Sequence, residues 1–121
     1  MNPGRTSGGA SAAVPAGAEE KIREMVRRIV DRFHPEKVIL FGSYARGNAG
    51  PDSDVDLLVV MAVSGSKREQ AVDIRVEVSG MGLPKDVIVV TPEEVERYRD
   101  VVGIVIYPAL REGKILYERP A

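Results

Sequence analysis

The chain has 121 residues, 44% of them hydrophobic and 29% charged, with a formal net charge of −1. These values fit one globular domain with a modest core, and they supply no positive field for gripping DNA, RNA or an anionic membrane directly. Cysteine is absent, which excludes disulfides, thiolate zinc sites and a thiol nucleophile and fits a reducing cytoplasm.

Residues 1–17, MNPGRTSGGASAAVPAG, are rich in Gly, Ala, Ser and Pro. That composition predicts a disordered tail ahead of one domain over 18–121. It has neither the apolar stretch of a secretory signal nor, anywhere in the chain, a run of about 20 apolar residues that would span a membrane. Ile22, Met25, Val26, Ile29, Val30 and Phe33 recur at helical spacing, with Glu19 and Glu20 at the front and arginines towards the end, as the macrodipole favours. Pro35 stops this helix. His34 follows the helix end, where a structural role is expected. Lys37–Phe41 reads as a buried strand. The stretch from Gly42 to Asp52 reads as loop with one helical turn at Ser43–Arg46, and Val55–Val63 as the strongest strand.

Ser66–Gly80 is ambiguous. Val72, Ile74, Val76 and Val78 alternate like a strand, while Ala71, Ile74 and Val78 suit a helix. Ser66 with Glu69 forms a capping signature, and a crossover helix is the expected link between two strands that run side by side, so helix is expected. Lys85–Val90 is the next strand. Thr91 with Glu94 caps a helix over Pro92–Asp100. Val101–Glu112 reads as a helix interrupted by Pro108 and ended by Gly113, and Lys114–Glu118 as a last strand. VVGIVIYPAL carries more apolar groups than one helical face against a small sheet can bury, which points either to a contact surface or to a fully buried last helix. The alternation predicts an α/β (α+β) fold with a small sheet.

The chemistry is concentrated in GSYARGNAGPDSDVDLLVV. Asp54 and Asp56 are two apart at a strand start and share one face. Like charges held that close call for a cation between them, and an all-oxygen set favours Mg²⁺ or Mn²⁺. Asp86, opening KDVIVV, is the candidate third carboxylate, with Asp52 as its alternative. Three carboxylates and two metal ions suit in-line displacement at phosphorus. Gly42 and Ser43 after the first strand suit close approach of a phosphate, and Arg46 pairs with either phosphate or a nearby carboxylate.

FHPEKVILFGSYARG followed by SDVDLLVV resembles the minimal nucleotidyltransferases of the polymerase-β superfamily, the antitoxin halves of HEPN/MNT toxin–antitoxin pairs. That superfamily's Gly-Ser, ten residues, Asp-x-Asp pattern is matched by Gly42-Ser43 and Asp54-Val55-Asp56. The resemblance spans roughly Glu19–Arg119, and Pro108 in the last helix is its one departure. It implies a small mixed sheet with helices mainly on one face. It further implies two Mg²⁺ ions on Asp54, Asp56 and Asp86, and ATP on Gly42 and Ser43. The reaction implied is AMP transfer to a hydroxyl, a tyrosine, of a HEPN ribonuclease toxin. No substrate-gripping bundle is expected after the catalytic unit, so the acceptor is expected to be presented by another protein, in a homo- or hetero-oligomer, or to be something small. An antitoxin acting by occlusion alone and a small-molecule (aminoglycoside-type) nucleotidyltransferase subunit are the competing readings.

Overall fold

The computed structural model describes residues 15–120. The expected tail lies outside the described residues apart from Pro15 to Gly17, which lead into the first helix. That helix, α1 (Ala18–Phe33), buries Ile22, Met25, Val26 and Ile29 along one stripe, the face that the sequence spacing predicts. It ends at His34, whose left-handed backbone (φ 50°) lets its N–H donate to the Val30 carbonyl at 3.1 Å. His34 is thus a C-cap, and Pro35 prevents continuation.

Four strands build the sheet: β1 (Lys37–Phe41), β2 (Val55–Val60), β3 (Lys85–Val90) and β4 (Lys114–Glu118). They pair in the order β3-β2-β1-β4. β1 is antiparallel to β2 and β4, whereas β2 and β3 run parallel. The parallel pair is joined by a helix, α3 (Lys67–Glu77), capped by Ser66, whose hydroxyl accepts from the Glu69 N–H at 3.2 Å. The helical reading of this ambiguous stretch therefore holds, although its span is shorter than Ser66–Gly80. A short helix, α2 (Gly42–Arg46), connects β1 towards β2.

Alternation along the strands builds two unequal cores. Val38, Leu40, Val55, Leu57, Val59, Val87 and Val89 face α1 and α3 in the larger one. Ile39, Leu58, Val60 and Val90 face the other way, where α4 (Pro92–Tyr98) and α5 (Ile106–Glu112) add Ile106, Ala109 and, half-buried, Val95. The mixed α/β sheet with its main layer on one face is the expected fold class. The second layer is thin, because α4 buries no residue fully and α5 only Ile106 and Ala109.

Three boundaries differ from expectation. β2 stops at Val60 and not Val63, since β1 and β3 both run out of partners there, at Lys37 and Val90. The helix expected over Pro92–Asp100 ends at Tyr98. Pro108 does not interrupt a helix over Val101–Glu112, because residues 101–105 form turns and α5 begins at Ile106. Pro108 thus stands in the first helical turn, where its missing N–H would have no intrahelical partner. The first i→i−4 bond is Ala109 N–H to the Val105 carbonyl, at 3.1 Å. In the surplus-apolar run, Ile106 and Ala109 are buried whereas Val101 and Val102 are exposed.

Ile29→Ala, in the middle of the main core, is expected to cost about 2–5 kcal/mol in urea unfolding. Pro108→Ala should change stability by less than about 1 kcal/mol. A gain near the roughly 3 kcal/mol penalty of an interior helical proline would contradict its first-turn placement.

Candidate active site

The candidate residues collect at one end of the sheet. β2 and β3 start there, and antiparallel β1 finishes there. In the parallel register Asp56 lies directly beside Asp86, and across β1 it lies opposite Phe41. Asp56 alternates with Leu58 and Val60, so it faces the thin layer of α4 and α5. Asp54 precedes the strand with the same parity and is exposed, as are Asp86 and Asp52.

Gly42 follows β1 with φ 74°. A Cβ on it would stand 2.2 Å from Asp56 Oδ2. Two independent constraints thus require glycine, a left-handed backbone and van der Waals contact with the carboxylate. Ser43 is half-buried on α2, and its carbonyl accepts from Asn48 N–H at 3.1 Å. The loop then returns through a turn in which Gly50 N–H donates to Ser53 Oγ at 2.9 Å. Val55 N–H donates to the Pro84 carbonyl at 2.8 Å, fastening the start of β2 to the approach of β3.

Electrostatics single out Asp56. Burial pushes its carboxyl above the usual range, Asp86 and Asp54 push it further, and Arg46 opposes them. Arg46 closes α2 and reaches Glu112 of α5 at 3.8 Å. Asp86 Oδ1 lies 3.9 Å from Arg75 Nη2 of α3. Both pairs are about half-exposed, so each contributes little stability. Sequence reasoning missed Arg75 and Glu112, and no local signal marks either; only the packing of α3 and α5 brings them in. Tyr44 packs in the larger core. Its buried hydroxyl has no hydrogen-bond partner among the described residues, and burial pushes its phenol up.

The donors are all carboxylate oxygens with a shared negative field, chemistry that fits a hard divalent cation. Among the described residues, however, no three acidic or histidine side chains are gathered closely enough to form a preformed metal cluster. Asp54 and Asp86 act on Asp56 through space, and Asp86 would have to turn from Arg75 to share an ion. A groove of about 530 Å³ lies elsewhere, between α1 and β4, and includes none of the three aspartates. The candidate site therefore rests on carboxylate placement and not on a cavity.

Comparison with known proteins adds to this geometry. Residues 20–118 match the profile of the family described as "Nucleotidyltransferase domain". A protein of Methanocaldococcus jannaschii, provisionally named a protein adenylyltransferase, is 43% identical over 44 residues. That match covers 35% of this chain and 44% of the relative, so it spans less than half of either. A crystal structure from Sulfolobus solfataricus, provisionally described as a nucleotidyltransferase, superposes with a TM-score of 0.54 at 25% identity, covering 96% of this chain and 94% of that one. A chain of a toxin–antitoxin complex crystallised with AMP-PNP gives a TM-score of 0.46 at 24% identity, over 84% of this chain and 73% of that one.

Gly42→Ala should destabilise the protein more than Gly47→Ala in parallel melting experiments. Both residues have positive φ, but nothing lies within 4 Å of a Cβ at Gly47. Equal losses would mean that contact with Asp56 does not matter. A second test uses pH. The folded pKa of Asp56 lies above its ordinary value of 3.8. In metal-free protein the folded state therefore holds the proton more tightly than the unfolded state, and stability is lost as pH rises from about 4 through the folded pKa. Asp56→Asn removes that loss. With EDTA present, the Tm of the variant relative to wild type should climb from pH 4 to pH 7, and a constant offset would contradict the burial and charge argument.

Proposed function

We propose, from the premise that this chain belongs to the nucleotidyltransferase domain family, that it transfers AMP from ATP to a hydroxyl of a partner protein. The acceptor is a tyrosine of a HEPN-type ribonuclease toxin, and the modification makes this chain the antitoxin. The observation that carries the reading is the Asp56–Asp86 pair held side by side at the mouth of the Gly42-Ser43 turn. The Methanocaldococcus jannaschii relative supports the adenylyl group, and the sequence resemblance to minimal nucleotidyltransferases supports the partner.

Each residue then has a role. Backbone N–H groups of the Gly42-Ser43 turn would receive the triphosphate, and the Ser43 hydroxyl can donate to it. Asp54, Asp56 and Asp86 would hold Mg²⁺, which when bound neutralises phosphate charge and lowers the pKa of an attacking hydroxyl. The acceptor oxygen attacks the α-phosphorus, the bond to pyrophosphate breaks, and the hydroxyl proton passes to a carboxylate at this edge, for which exposed Asp86 is accessible. Arg46 offsets the added negative charge, since its field already favours ionised Asp56.

With α-labelled ATP, Mg²⁺ and a HEPN-type toxin from the same source, the wild type should label the toxin on tyrosine. Asp54→Asn or Asp56→Asn should lose label by about a hundredfold or more while staying folded. Near-wild-type labelling by either variant would overturn the assignment. An Asp56→Asn protein that still protects cells from the toxin would identify occlusion as the antitoxin mechanism. ATP with Mg²⁺ at about one hundred times its Kd should add about 2.7 kcal/mol of stability, a Tm rise of roughly 5 °C or more. An equal rise with EDTA in place of Mg²⁺ would remove the metal from the reading.

A further inference from the structure

The face of α3 turned from the main core meets the free edge of β3 in a shallow trough. Two adjoining depressions of about 450 and 380 Å³ share Val72 and Arg75. Their walls include Val87, Ile88 and Val89 of β3, with Lys85 at the end next to Asp86. β3 is the last strand of the sheet on that side. Among the described residues its outer edge has no backbone hydrogen-bond partner.

Three features separate this edge from an ordinary sheet border. First, Val72 and Val76, one helical turn apart, are 46% and 65% exposed beside it, although neither is needed for the core. Second, the edge is straight. β3 keeps an unbroken register with β2 for six residues, whereas the opposite edge strand β4 carries an irregularity opposite Val38/Ile39. Bulges are a usual protection of an edge against pairing, and an edge without one is a template for an added strand. Third, the trough has one sign of charge. Lys67, Arg68, Arg75 and Lys85 line it, and no acidic residue does. Lys67 is paired with Glu94 and Arg75 with Asp86, but Arg68 and Lys85 have no ion pair among the described residues.

We propose that the β3 edge and the outer face of α3 form the docking site for an extended acidic–apolar segment of the acceptor protein, added as a fifth strand beside β3. This rests on the proposed transfer to a protein hydroxyl and specifies how that protein is held. Main-chain hydrogen bonds to β3 supply sequence-independent affinity, while Val72 and Val76 take alternate apolar side chains and Arg68 and Lys85 take carboxylates. The trough ends at Lys85, one residue from Asp86. A strand laid along it therefore runs to the carboxylate end of the sheet, where its hydroxyl is needed.

The test uses the full chain and a fluorescein-labelled hexapeptide alternating valine with glutamate, followed by anisotropy. Two further peptides carry lysine in place of glutamate, or N-methyl groups on alternate amides. The acidic peptide should bind, and both altered peptides should bind about tenfold or more weakly. The double variant Arg68→Glu/Val76→Asp, altered only at exposed positions, should lose about tenfold in affinity for the acidic peptide. Its Mg²⁺- and ATP-dependent Tm rise should be that of wild type, so loss of docking is separable from failure of the nucleotide site. Three results would overturn the proposal: no binding of the acidic peptide at about 1 mM, equal binding of the lysine peptide, or an unaffected double variant. A dimer in solution that the double variant dissolves would also overturn it, by assigning the edge to a second copy of this chain.

Discussion

The parallel pairing of β2 with β3 is the constraint on which the rest of the molecule depends. It sets Asp56 against Asp86 in register, an arrangement that two like charges would not choose. The opposition is overcome further along the same two strands. Leu57 to Val60 and Val87 to Val90 are buried or nearly so on both sheet faces, and slipping the register to separate the carboxylates would turn every one of these side chains over. Hydrophobic burial along the strands thus holds an unfavourable pair at their ends. The remaining requirement is room, which Gly42 supplies by having no side chain where Asp56 Oδ2 lies.

The two sheet faces divide stability from access. α1 and α3 cover one face and carry most of the buried volume, including Met25, Ile29 and Ile74. The other face, towards which Asp56 projects, has only the short helices α4 and α5. A thick layer there would bury the carboxylates without partners, at high cost. A thin one leaves Asp56 half-buried, enough, with Asp86 and Asp54 nearby, to raise its affinity for a proton. Arg46 and Arg75 temper that field from α2 and α3 through pairs loose enough to be exchanged.

The ambiguity of the stretch over Ser66–Gly80 has a physical origin. Ala71, Ile74 and Val78 face the core, and Val72 and Val76 face outward. A helix with apolar residues on two faces imitates the alternation of a strand. The valines that obscure the periodicity are the same ones that border the open β3 edge.

Much of the site was legible without coordinates because its signals are local. Gly42-Ser43, the ten-residue return and Asp54-Val55-Asp56 lie within one continuous stretch, and strand alternation alone puts Asp54 and Asp56 on one parity. The strands, the capped helices and the fold class were legible from periodicity and caps for the same reason. Boundaries were less legible, since β2 ends where its neighbours end, and Pro108 marks a helix start only once residues 101–105 are seen as turns. Asp86 could be named from the sequence, but its position opposite Asp56 depends on which strands pair. Arg75 and Glu112 were invisible, because their roles arise from helices packed against the sheet from distant parts of the chain. The sequence by itself determined which residue types were available for phosphate and metal chemistry and that two of them share a face. Tertiary structure decided that Asp86 stands beside Asp56, that cations from α2 and α3 approach this edge, and that β3 is left open among the described residues, because pairing order and helix docking are settled by burial across the whole sheet and not within any one segment.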